Sequence, residues 1–109
     1  MTRVYVAAVP DDLVSLRDTG ALAGGDRFTA VDDSEEAEYA ALMAAADAST
    51  ARGPRGGRRV VDLAELPRED APVTREDVVA LHLDTADRGP DADPDEDLEW
   101  FAPQELAHL

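Results

Sequence analysis

Arg3-Val4-Tyr5-Val6-Ala7-Ala8-Val9, followed at once by Pro10-Asp11-Asp12, is the stretch that decides the fold. Side chains alternate across a strand, so Val4, Val6 and Ala8 point one way and Tyr5, Ala7 and Val9 the other. Both faces are apolar. Such a strand is covered on both sides and lies inside a sheet rather than on its edge. Pro10 suits the first turn of a helix, where its missing N–H costs nothing, and two Asp suit the positive helix end. Leu13 and Leu16 give that helix an apolar face, and Gly20 is a plausible stop. A doubly covered strand that runs straight into a helix predicts α/β layering.

The chain downstream continues the alternation. Residues 21–26 read as loop and 28–31 as a short strand. Asp32, Asp33 and Ser34 offer N-caps to the clearest helix, over 34–49, with Asp33 and Glu36 at capping-box spacing. Tyr39, Leu42, Met43 and Ala46 fall on one face of it, and Ala elsewhere favours helix and permits close packing. Residues 50–58 form a flexible Arg/Gly connection, 58–63 a second strand-like run, and 64–73 an irregular stretch with Pro67 and Pro72. Thr74 caps a single helical turn with Asp77 three residues on. Val79, Leu81 and Leu83 then alternate with Ala80 and His82 as a strand; a continuous helix over 74–83 is the rival reading. Residues 85–97 are an acidic loop. Residues 98–109 form a docking segment, with a short final helix from Pro103 to Ala107. The order β-α-β-α-β-β-α predicts one domain over 1–109, with a three- to four-stranded mixed, partly parallel sheet and helices packed on it.

A chain of 109 residues suits one small domain with a modest core. Its 25 acidic residues against 10 basic ones leave a formal charge of −15. Duplex nucleic acid and anionic membrane surfaces repel such a molecule, so neither is an expected partner; a basic protein, or no partner, fits better. Lys, Asn, Ile and Cys are all absent. The first three share A/T-rich codons, so the pattern reads as a high-GC genome. Without Cys there is no disulfide, thiolate nucleophile or Cys-ligated zinc. The apolar run 4–9 is too short for a signal peptide, and no stretch approaches a membrane span. A cytoplasmic protein is expected, with no metal and no cofactor.

Four groups of residues are candidates for chemistry. Arg52, Arg55, Arg58 and Arg59 cluster among glycines, where guanidinium forks and free N–H groups suit an anion. The run lacks the Lys-Ser/Thr ending of a phosphate loop, and its arginines also suit pairing with the acidic loop. In that loop Asp91, Asp93 and Asp95 alternate like the start of a calcium loop, but Glu96 and Ala102 stand where Gly and Glu belong. Its six Asp also suggest a nucleic-acid mimic. His82 and Asp84 lie two apart on a predicted strand, hence on one face, as an acid–base pair without a nucleophile motif. Trp100 and Phe101 are adjacent, so on a strand one enters the core while the other stays near the surface. Trp is the residue most enriched at binding hot spots, and Gln104 and Glu105 supply a hydrogen-bonding rim.

The ends of the chain carry a resemblance. R-V-Y-V at the start, L-H-L-D in the middle and E-W-F-A-P-Q-E-L at the end resemble a family of small uncharacterised actinobacterial proteins, matching at Tyr5, His82, Asp84, Trp100, Pro103, Gln104 and Glu105. This sequence departs from it with Ala7 for Pro and Phe101 for Tyr. The resemblance implies a source and a shared fold, not an activity. The residues by themselves favour a non-enzymatic binding or regulatory module that meets a protein partner, or a second copy, through Trp100, Phe101, Gln104 and Glu105. The alternatives are a small hydrolase-like or anion-binding enzyme centred on His82, Asp84 and the arginine loop, and the nucleic-acid mimic.

Overall fold

A computed structural model describes residues 1–22 and 25–109. The strands are β1 (Thr2–Ala8), β2 (Ala21–Leu22), β3 (Arg27–Phe28), β4 (Val60–Leu66), β5 (Val73–Thr74), β6 (Val78–Leu83) and β7 (Glu99–Phe101). Two α-helices, α1 (Pro10–Thr19) and α2 (Glu35–Arg52), and two 3-10 segments, Arg75–Asp77 and Pro103–His108, complete the described elements. The strands build a five-stranded sheet in the order β3-β1-β4-β6-β7, with β2 and β5 as a separate ribbon.

β1 lies inside the sheet, as its two apolar faces require. Val4, Val6 and Ala8 join one core cluster with Leu13 and Leu16 of α1, Leu22 and Val73 of the ribbon, and Leu106 of the C-terminal segment. Tyr5 joins the opposite cluster with Val61, Leu63 and Ala80, under Ala41, Ala45 and Ala46 of α2. The molecule is therefore an α/β sandwich of three layers, with the sheet in the middle.

The expected partly parallel sheet of three or four strands is not what forms. The central sheet has five strands, and every pairing in it is antiparallel. The cause is the direction of α2. Its N-terminal turns sit by the start of β1, where Glu38 meets Arg3 and Tyr5. Its last turns sit by the end of β1, where the fully buried Ser49 hydroxyl donates to the Ala8 carbonyl and accepts from Val60 N–H, at 2.6 and 2.9 Å. A helix running with β1 delivers the next strand at the far end of the sheet, so β4 must run back along β1. β4 is also longer than expected: it continues through Leu66, into a stretch that reads as irregular. Of the loop expected over 21–26, Ala21 and Leu22 are strand β2, while residues 23 and 24 lie outside the described residues. The short strand expected over 28–31 reduces to Arg27–Phe28.

Helix ends follow the chain's own signals. Of the three N-cap candidates Asp32, Asp33 and Ser34, Ser34 caps α2 by accepting from Ala37 N–H at 3.1 Å. Asp12 accepts from Val9 N–H at 3.0 Å at the start of α1, and Gly20 closes that helix in the left-handed region at φ 77°. Thr74 and Asp77 cap the 3-10 turn before β6, and residues 78–83 are strand, not helix. The buried face of α2 is Ala37, Ala41, Ala45, Ala46 and Ser49; of the stripe Tyr39, Leu42, Met43 and Ala46 that periodicity suggests, only Ala46 lies on it. Small side chains let the helix approach β1 and β4 closely, and the larger ones are left at its flank.

Candidate functional site

Because α2 packs on β1 and β4, the same face of the sheet is open toward β6 and β7. A cleft of about 450 Å³ lies there. Tyr5, Leu63, Glu65, Ala80 and His82 from the central strands form its floor, and Glu38, Tyr39 and Leu42 of α2 form one wall. Trp100 forms the other. β7 pairs with β6 so that Trp100 stands opposite His82 and Phe101 opposite Leu81. Alternation then sends the indole into the cleft face and the phenyl ring to the α1 side, where Phe101 packs on the core. Trp100 remains 61% exposed. The two rings divide between core and surface as adjacent strand residues should. Val79, the extra residue of a bulge between the Leu63–Ala80 and Ala64–Val78 pairs, also reaches the cleft.

Polar groups in the cleft are arranged unevenly. Arg3 Nε lies 3.0 Å from Glu38 Oε1, and the same oxygen accepts from the Tyr5 hydroxyl at 3.3 Å. Burial, and then the Glu38 charge, push the Tyr5 phenol above its ordinary value. Burial, followed by the nearby Arg3 charge, pushes the His82 imidazole below its ordinary value, so it is neutral at pH 7. The Tyr39 hydroxyl donates to Asp97 at 2.7 Å and ties the acidic loop to α2.

The sequence candidates end up in separate places. Asp84 does not pair with His82. Its carboxylate takes a fork from Arg59, with Nε and Nη2 each at 2.9 Å, and also accepts from Arg59 N–H at 2.8 Å. Burial works against its charge, yet these bonds prevail and hold the carboxyl below its ordinary value, while the bond to Asp84 raises the Arg59 guanidinium. Arg59 is 1% exposed and also donates to the Pro94 carbonyl, so it clamps the acidic loop instead of facing an outside anion. Arg88 adds contacts to Asp84, Glu96 and the Asp93 carbonyl. Arg52 reaches Asp12 at 3.4 Å, and Arg55 and Arg58 are exposed. Arg58 borders a pocket on the α1 face with Leu13 and Leu83, across the sheet from His82. A centre joining His82, Asp84 and the arginine loop therefore does not assemble. Glu105 is engaged in accepting from Ala102 N–H at 2.8 Å, and neither it nor Gln104 lines the Trp100 cleft.

Sequence reasoning missed most of the cleft. Arg3, Glu38 and Glu65 read as surface charges. The one usable signal was period: with β4 extended, Val61, Leu63 and Glu65 share a face, and Glu65 is the polar member. It also missed Asp62, fully buried on β4 in register with Val6 and Leu81. Neither carboxyl oxygen has a hydrogen-bond partner among the described residues. Burial, with Asp12 nearby, pushes its pKa up to about 7.

Among the described residues no group of three His, Asp or Glu side chains is placed to hold a metal ion, and no helix is long and apolar enough to cross a membrane. The chain belongs to a family of unknown function, DUF6912, which it matches over residues 2–109. No curated protein and no solved structure matches it.

Proposed function

We propose that this member of a family of unknown function is a non-enzymatic binding module that holds a protein partner in the Trp100 cleft. One observation carries the reading. The molecule's single Trp is fixed in register on β7, yet it stands largely exposed as the wall of a concave site. Trp anchors dominate binding interfaces, and an indole left in water beside an apolar floor is stabilised when a partner covers it. The described residues lining the cleft include no Ser, Thr or Cys to act as a nucleophile, and His82 has no orienting carboxylate, which favours binding over catalysis. The partner surface is narrower than Trp100, Phe101, Gln104 and Glu105 together: it centres on Trp100, with Tyr39 and His82 replacing the other three. A charge of −15 favours a basic protein over nucleic acid, anionic membrane or a second copy. The lysine-free composition and the W-F-A-P-Q-E-L ending support an actinobacterial source. The test is affinity capture from host lysate with mass spectrometry, comparing wild type with Trp100→Ala. The variant should keep its circular dichroism spectrum and lose the partner. Retention of the same partner by a folded Trp100→Ala protein refutes the reading.

A further inference from the structure

We infer that the group received by this cleft is cationic: an arginine or lysine side chain on a basic segment of the partner, held in the cleft that Trp100 and Glu65 both line. The inference rests on the cleft being a protein-binding site. Tyr5, Tyr39 and Trp100 border the cavity, and ring faces attract cations. Its charged residues are Arg3, Glu38 and Glu65. Arg3 stands opposite Glu65 in the strand register, but its Nε lies against Glu38. Among the described residues Glu65 has no ion pair and no side-chain hydrogen bond, although it is half-buried. A partly desolvated carboxylate without an ion pair, in the same cleft as an exposed indole, is a receptor for a cation. The only other titratable group with a basic form here, His82, stays neutral at pH 7 and offers no opposing charge. Arginine fits better than lysine, because a planar guanidinium can stack on an aromatic ring of the cleft or fork onto its carboxylate. The overall negative charge speeds the approach of such a segment and opposes a second copy of this chain.

Trp100 is the only Trp, so its fluorescence reports on the cleft directly. The full chain is titrated with a blocked peptide of alternating glycine and arginine, and separately with the same peptide carrying neutral citrulline for arginine. The arginine peptide should change Trp100 emission saturably, the citrulline peptide should not, and Glu65→Gln should weaken binding by roughly five-fold or more, with added salt weakening the wild type. An equal response to both peptides overturns the cationic assignment and leaves the cleft a binding site. No response to either peptide overturns it as well; the binding reading itself falls only if folded Trp100→Ala also keeps its captured partner. Emission that changes with protein concentration alone, together with dimer mass by light scattering, assigns the site to a second copy and overturns the inference.

Discussion

Asp62→Asn isolates the most unusual charge in the core. In the unfolded chain Asp62 gives up its proton near the ordinary value of 3.8, and in the folded protein near 7. Between those values the folded state holds a proton that the unfolded state has lost. Raising the pH therefore favours unfolding. The stability that protonated Asp62 provides is fully present below 3.8 and gone above about 7. Each pH unit of that window is worth about 1.4 kcal/mol, so a shift of about three units amounts to roughly 4 kcal/mol. That is a large share of the roughly 5–15 kcal/mol by which domains are stable. Asn has nearly the same shape and no titration in this range. Its amide carries a fixed cost of its own, which a comparison across pH cancels, as it does the titration of the other carboxylates. Urea unfolding of both proteins at pH 5, 6, 7 and 8 should show the variant gaining about 2 kcal/mol on the wild type between pH 5 and 7, and little more by pH 8. A difference that stays constant across the series, or that moves toward the wild type, refutes the burial argument and means Asp62 finds a partner in solution.

Arg59→Met leaves half-buried Asp84 without its fork, with Arg88 at 3.5 Å as its remaining cation, and should cost about 2 kcal/mol or more, read by thermal or urea unfolding; restored stability in the double variant with Asp84→Leu would confirm that the under-paired charge is the cause. Leu106→Ala removes a buried anchor of the C-terminal segment and should cost about 2–3 kcal/mol, whereas Trp100→Ala should cost under about 1 kcal/mol; equal losses would place the indole in the core. Ala45→Leu puts a large side chain where α2 meets the sheet and should destabilise by about 1–3 kcal/mol, although leucine is a good helix former. A neutral effect would mean that α2 does not pack closely.

Local signals made part of this legible. Alternation in β1 assigned its two faces, Pro10 and Gly20 bounded α1, the capping residues located α2, and alternation around His82 identified β6. The return of the C-terminal segment followed from its crowded aromatics. What escaped depends on distant pairings. Nothing between residues 20 and 60 states that α2 runs along β1, so the antiparallel order was invisible. Nothing local marks Asp62 as buried or Glu65 as the polar edge of a cleft, because each reads as an ordinary acid in an acidic chain. Arg59 was indistinguishable from Arg58, its neighbour. In an extended chain adjacent residues face opposite ways, and that alternation sends one guanidinium to the Asp84 carboxylate and the other to solvent.

The cleft and the fold share one cause. An alanine face on α2 allows close approach, and close approach holds the helix over β3, β1 and β4. Had Tyr39, Leu42 and Met43 faced the sheet, the helix would have stood farther off and its large side chains would have spread over β6, filling the space where His82 and Glu65 now meet water. The same packing leaves Tyr39 half exposed, free to bond Asp97, and the Arg59 clamp on Asp84 and Pro94 holds the loop leading from β6 to β7. β7 is only three residues long, so its register depends on those anchors and on Leu106 beyond it. A shift by one residue would exchange Trp100 and Phe101 between the faces. The indole's position over the cleft is therefore set by the buried ion pair and the docked C-terminal segment, neither of which lines the cleft, and the acidic loop serves as the support of the site rather than as the site.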